Sequence, residues 1–158
     1  IEDADDGASG YRINGLYEFN PGGGKVAHGF SVGYIGVGQE GSYSYTIGGS
    51  TTTITAESNS NTWPIYYAPK FMFGDGKFKG FIKGALGMQF SGLNVKSSGS
   101  TILEDNDAGF YGGASLGGMI SVKENMFLNL EYEWAYLSNS FYKDGFMNSV
   151  MLGIGFKF

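Results

Sequence analysis

Two glutamates two residues apart, Glu131 and Glu133, a lone histidine, His28, and the cations Arg12, Lys70, Lys79 and Lys83 are the side chains best equipped for chemistry. Paired carboxylates suit general acid and base work when their surroundings separate their protonation. On a strand, a spacing of two puts both on one face. If that face is packed, the pair has no room for a substrate. His28 is the only candidate for a base that titrates near neutrality. The acidic group Glu104, Asp105 and Asp107, with Asp3, Asp5 and Asp6 as further oxygen donors, has the chemistry of a hard-cation site. A solvated loop is the simpler reading. No phosphate-binding loop, no metal-spaced His/Cys set and no Ser/His/Asp constellation occurs. The absence of cysteine removes disulfides, thiol catalysis and Cys-ligated metals.

What must position these groups is a set of alternating segments. Residues Ser149–Phe158 place Val150, Leu152, Ile154, Phe156 and Phe158 on one face at strict period two, against Ser149, Met151, Gly153, Gly155 and Lys157. Six earlier segments follow the same rule. Residues Tyr11–Phe19 oppose Tyr11, Ile13, Tyr17 and Phe19 to Arg12, Asn14, Leu16 and Glu18. Residues Val26–Gly38 oppose His28, Phe30, Val32 and Tyr34 to Ala27, Gly29, Ser31 and Gly33. The third, Thr62–Phe73, sets Trp63, Ile65, Tyr67, Phe71 and Phe73 against Thr62, Tyr66, Ala68, Lys70 and Met72, and Pro64 and Pro69 weaken its ladder. The fourth sets Phe78, Ile82, Leu86, Met88 and Phe90 against Lys79, Phe81, Lys83, Ala85, Gly87 and Gln89. The fifth sets Phe110, Ala114, Leu116, Ile120 and Val122 against Tyr111, Gly113, Ser115, Gly117 and Met119. The sixth sets Met126, Leu128, Leu130, Tyr132, Trp134 and Tyr136 against Asn129, Glu131, Glu133 and Ala135.

The connections alternate in length. Tight turns at Asn20–Lys25, Gly74–Lys77 and Lys123–Asn125 alternate with polar stretches at about 40–61 and 92–107 and a moderate loop at Ser138–Gly145. Tight turns on one side and long loops on the other predict an up-and-down transmembrane β-barrel with short periplasmic turns and long extracellular loops. The aromatic residues then fall into two belts at the headgroup boundaries. Tyr11, Tyr34, Trp63, Tyr67, Phe90, Phe110, Trp134 and Tyr136 are expected near the extracellular ends. Phe19, Phe71, Phe73, Phe78, Phe156 and Phe158 are expected near the periplasmic ends. The greasy faces point to lipid, and the charged faces point into the lumen.

Composition agrees. The 158 residues make one domain, rich in Gly (28), Phe (13) and Tyr (11). No run of ~18 apolar residues occurs, which excludes a transmembrane helix and says nothing against a barrel, whose strands need only ~9–11 alternating residues. That alternation is why a mean hydropathy of −0.12 suits a membrane protein. A net charge of −5 gives no basic patch for nucleic acid.

An eight-stranded lumen is just wide enough to be filled by side chains. Arg12, Lys70, Lys79 and Lys83 against Glu18, Glu131 and Glu133 nearly balance, which predicts a salt-bridged plug. Inward glycines leave room for these long side chains. His28, outward and beside a periplasmic turn, reads as an interfacial residue, at the wrong end for a base at the extracellular rim.

Seven strands raise a parity problem. Bacterial outer-membrane barrels carry an even number. Residues 1–10 read as an extracellular loop remnant, and the chain opens on Ile1 with no signal peptide. The expectation is a processed or incomplete chain whose first strand precedes Ile1, with a strand supplied by another chain as the alternative.

With its terminal strand ending GIGFKF, its YEFNPGGGK strand-turn and its FGDGKFKGFIKGALG hairpin, the chain resembles the small eight-stranded outer-membrane barrels of the OmpX and OmpA-transmembrane-domain type. The resemblance spans nearly the whole chain and departs in the absent first strand. It implies an integral protein of the outer membrane of a diderm bacterium. It further implies that Val150, Leu152, Ile154, Phe156 and Phe158 form the signal read by the barrel-assembly machinery. Expected partners are outer-membrane lipid, lipopolysaccharide and other outer-membrane proteins, with no cofactor. The favoured role is a non-enzymatic structural or interaction component, alone or as a subunit of a larger outer-membrane complex. A lipid-modifying enzyme and a small-solute pore are the alternatives, and a soluble lipocalin-like barrel would need the opposite polarity.

Overall fold

A computed structural model describes residues 9–47, 50–97, 100–138 and 145–156. Their strands are β1 (Ser9–Phe19), β2 (Val26–Ile47), β3 (Ser50–Tyr67), β4 (Lys70–Phe73), β5 (Phe78–Ser97), β6 (Ser100–Lys123), β7 (Met126–Leu137) and β8 (Phe146–Phe156). Each row pairs antiparallel with the next in the order β1-β2-β3-β5-β6-β7-β8, while β4 pairs with β2 and β5. β3 and β4 therefore share one row, and the sheet has the seven rows that the alternation predicts. The fold is all-β: an antiparallel, up-and-down sheet of barrel type whose rows follow one another in chain order.

Proline explains the split row. The backbone between β3 and β4 breaks at Ala68 and Pro69, and a proline has no N–H to give the ladder. Neighbouring bonds bridge the break: Ala68 N donates to Gly29 O at 2.7 Å and Gly84 N to Pro69 O at 2.8 Å. Where Pro64 faces β2, the β2–β3 pairing skips from Ile35↔Thr62 to Val32↔Ile65.

Turns close one end of the sheet. At Asn20–Lys25, Gly23 takes φ +59°, a left-handed conformation that favours glycine, and Asn20 Nδ2 donates to Gly24 O at 2.7 Å. Gly74 and Gly76 take φ +87° and +83° in the second turn.

The opposite end differs from expectation. The polar stretches at about 40–61 and 92–107 are not irregular loops. β2 and β3 stay paired out to Ile47↔Ser50, and β5 and β6 out to Ser97↔Ser100, with a register shift at Val95/Lys96. Threonine, tyrosine and isoleucine favour extended backbone whatever the polarity of the face. Two hairpins of this kind stand beyond the barrel wall. Ser9 and Gly10, expected in a loop, already pair with Gly38 and Val37. β8 begins at Phe146, three residues before the strand predicted from Ser149.

Alternation in exposure follows the inside–outside code. Along β8 outward residues are exposed and inward ones half-buried without exception from Phe146 to Phe156. Its 11 residues match a membrane-spanning strand. At ~3.3 Å per residue and a tilt near ~40°, Phe146 and Phe156 stand about 25 Å apart along the barrel axis, the height of an apolar band.

Among the described residues no pairing joins β1 to β8. Six antiparallel steps separate them, so both run from the hairpin end to the turn end. Their side chains feel the opening. Outward Leu152 on β8 is 80% exposed where Leu130 on β7 is 57%, and inward Leu16 on β1 is 42% exposed.

Candidate functional site

The lumen concentrates the chemistry-bearing side chains. Arg12 projects inward from β1 and reaches across to β7, where its Nη1 meets Glu133 Oε1 at 2.7 Å. Its other nitrogens are also engaged: Nη2 donates to Tyr66 Oη at 2.9 Å and Nε to Asn14 Oδ1 at 3.1 Å. The Tyr111 hydroxyl donates to the same Glu133 oxygen. Tyr66 and Tyr111 stack with ring centroids 4.9 Å apart, and the Arg12 guanidinium lies 5.8 Å and 5.5 Å from those rings. A guanidinium suits this place, because its planar fork both hydrogen-bonds in several directions and stacks on aromatic faces.

Two further pairs lie among the inward residues. Lys83 Nζ stands 2.5 Å from Glu131 Oε1, both side chains 5% exposed, and Lys70 Nζ stands 2.5 Å from Glu18 Oε2. Lys70 also sits 5.1 Å above the Phe81 ring. Six of the seven charged side chains assigned to the lumen are thus in ion pairs. Among the described residues Lys79 makes none, and it lies half-buried close to the Gly74–Lys77 turn.

Around the charges an apolar cluster of Ile35, Tyr66, Ala68, Ala85, Tyr111, Ala135 and Leu137 fills the remaining space. Gly33 and Gly117 make room for two further inward side chains: a Cβ at Gly33 would strike the Asn14 side chain, and one at Gly117 the Phe81 ring. The Thr62 and Ser91 hydroxyls meet at 2.7 Å on the same inner face. A lumen filled in this way stabilises one arrangement of the sheet and sets a cation against each of the Glu131 and Glu133 carboxylates. Each carboxylate faces its own cation.

Tyr66, Tyr111, Asn14 and Phe81 were not assigned to the charge network, although the alternation places all four on the inner face. Nothing in the local sequence says that Arg12 and Glu133, 121 positions apart, meet through two tyrosines.

On the outer face the aromatic residues form contacts near both ends. Toward the hairpins, Tyr34 packs 5.8 Å from Tyr11 and 4.7 Å from Trp63, and Phe146 stacks on Trp134 at 5.4 Å and touches Tyr136 at 5.3 Å. Phe90 and Phe110 are exposed at nearby levels. Toward the turns lie Phe19, Phe71, Phe73, Phe78 and Phe156. Phe158 falls outside the described residues, and Val150, Leu152, Ile154 and Phe156 all point outward.

Tyr67 lies between the two ends: it pairs with Phe30, four residues into β2, and with Leu86, four residues short of Phe90 on β5, and its ring packs against Phe30 and His28. His28 Nδ1 lies 2.5 Å from Tyr67 Oη, and the imidazole stacks on Phe19 at 5.6 Å. That ring is bonded to a phenol at the turn end of the outer wall.

The acidic stretch of β6 is exposed at Glu104 and Asp105. Asp105 Oδ1 accepts from Asn106 N and Asp107 Oδ1 from Ala108 N, both at 2.8 Å. Among the described residues no group of three acidic, His or Cys side chains is gathered as metal ligands. Asp3, Asp5 and Asp6 lie outside the described residues.

A scan against protein-family models finds no match, and a search of curated proteins finds none. Among solved structures, the crystal structure of Ail, the attachment invasion locus protein of Yersinia pestis, is similar over 94% of this chain and 94% of that one, with 16% identity and a TM-score of 0.46. Ail in complex with the heparin analogue sucrose octasulfate is similar over the same shares, with 15% identity and a TM-score of 0.45.

Proposed function

We propose that this protein is a non-enzymatic integral barrel of a diderm outer membrane, of the small OmpX and OmpA-transmembrane-domain type, acting as a structural or interaction component. One observation carries the reading: polarity is inverted. Large apolar side chains such as Ile65, Leu86, Leu116, Leu130 and Ile154 stand exposed on the outer face, while Lys70, Lys83, Glu131 and Glu133 are buried. A continuous exposed apolar belt is unstable in water and stable in acyl chains. The charge-paired lumen, Arg12, Glu18, Lys70, Lys83, Glu131 and Glu133 with Lys79 at its end, serves as a plug, which opposes a passive pore. The outward face of β8 serves as the assembly signal, and lipid, lipopolysaccharide and neighbouring outer-membrane proteins are the partners.

Closure belongs to the same proposal. Unpaired backbone in hydrocarbon costs several kcal/mol per group. β1 and β8 run in the same direction, so one strand antiparallel to both completes an eight-stranded ring, and a segment preceding Ile1 suits that place.

The test is extraction and gel mobility. The protein is expected in the outer-membrane pellet, released only by detergent, with a mobility that shifts when the sample is boiled. A monodisperse, detergent-free soluble protein would refute the membrane reading. For the lipid-modifying alternative, His28→Ala should leave membrane lipid composition unchanged, and a lost lipid modification would reinstate it.

A further inference from the structure

Just beyond the hairpin-side aromatic belt, the outer wall of β3, β5 and β6 carries a hollow of about 620 Å³. Its floor is a row of rings: Trp63 pairs with Phe90, and Ala108 completes the row. The next outward row is Asn61, Gly92 and Asn106, with Asn94 above it. Gly92 is what opens the space. A Cβ there would stand 3.1 Å from Asn106 Oδ1, in the middle of the hollow. Trp63 and Phe90 are half-exposed, so their faces are available. Asn61 Oδ1 accepts from Tyr34 Oη at 2.5 Å, which fixes the amide and leaves its Nδ2 without a partner among the described residues. The side-chain amides of Asn94 and Asn106 also make no hydrogen bond among the described residues.

Flat apolar rings beside a row of amides match one ligand chemistry. A pyranose ring presents a C–H face that packs on an aromatic side chain, and hydroxyls that both donate and accept, as a carboxamide does. No lysine or arginine lines the hollow, whereas Asp107 does, and Glu104 on β6 pairs with Asn94 at its upper edge. That field disfavours phosphate or sulfate and favours an uncharged sugar. The height also selects the source, because a ligand on the outer wall at the aromatic belt lies at headgroup level. We propose that this hollow binds a neutral sugar ring in the headgroup of a membrane glycolipid. The proposal rests on the membrane reading above and assigns a site to it.

The full chain, with Trp134→Phe leaving Trp63 as sole tryptophan, is placed in phosphatidylcholine nanodiscs containing increasing diglucosyl diacylglycerol. Trp63 emission is expected to change saturably. Asn61→Ala and Asn106→Ala should each weaken the response about fivefold, the effect of one lost hydrogen bond, while the heat-shifted gel mobility stays intact. Soluble maltose should give no response at the same sugar concentration, and phosphatidylglycerol in place of the glycolipid should give none. A silent Trp63 in a properly inserted, heat-modifiable protein would overturn the site and leave the membrane reading standing. A response that survives both substitutions, or is matched by maltose or phosphatidylglycerol, would overturn it equally. Failure to insert into nanodiscs at all would end both.

Discussion

The inner and outer faces of one strand are covalent neighbours in opposite solvents. On β7, Leu130 is 57% exposed and Glu131, the next residue, is 4% exposed. A water-soluble domain would reverse them. The outer face needs only to be apolar and tolerates many substitutions of similar character. The inner face needs partners, because an ion held away from water is stable only when another group compensates it. The two faces should therefore respond differently to mutation, one through identity and the other through hydrophobicity alone.

Breaking the inner face should cost most. Glu133→Ala strands Arg12 and removes the acceptor of Tyr111, and a loss of about 3–5 kcal/mol is expected from urea unfolding of the micelle-bound protein. The double variant Arg12→Met/Glu133→Leu sharpens the point. It removes both charges and should recover most of that loss, since an apolar replacement of a buried pair is often neutral. On the outer face, Leu130→Arg near the middle of the band should cost about 2–4 kcal/mol in bilayers, and Leu130→Ile close to nothing. Trp134→Ala, which removes the stack on Phe146, should cost about 1 kcal/mol. Smallest of all, Asp105→Asn on the exposed part of β6 should change stability by less than about 0.5 kcal/mol. If Leu130→Arg were harmless and Asp105→Asn severe, the assignment of the faces would be inverted.

Strand positions and facing were legible in the sequence because a single rule, period two, acts along the whole chain. The same rule placed Arg12, Lys83, Glu131 and Glu133 on the inner face. Who meets whom there was not legible, since that depends on how far the sheet curves and on the stagger between rows. Arg12 could be assigned to the lumen but not to Glu133, and the tyrosines between them looked like ordinary inward residues. Polar composition misled at 40–61 and 92–107, where Ser, Thr and Asn suggested loops. Ladder pairing needs no apolar alternation, and the β-branched threonines favour extended backbone. At the start of β8, Phe146 and Asn148 share the outward face, and the polar Asn148 hides the alternation before Ser149.

The chain has no cysteine, so single nitroxide labels can be placed at will. The most direct test is their collision with oxygen dissolved in a bilayer. Labels at Leu116, Leu130 and Ile154 should show high oxygen access and negligible access to a water-soluble nickel chelate, whereas labels at Ser115 and Met151 should be shielded from both. Water-exposed labels at Leu116, Leu130 and Ile154, or a response with no period of two between Ser115 and Leu116, would contradict the account.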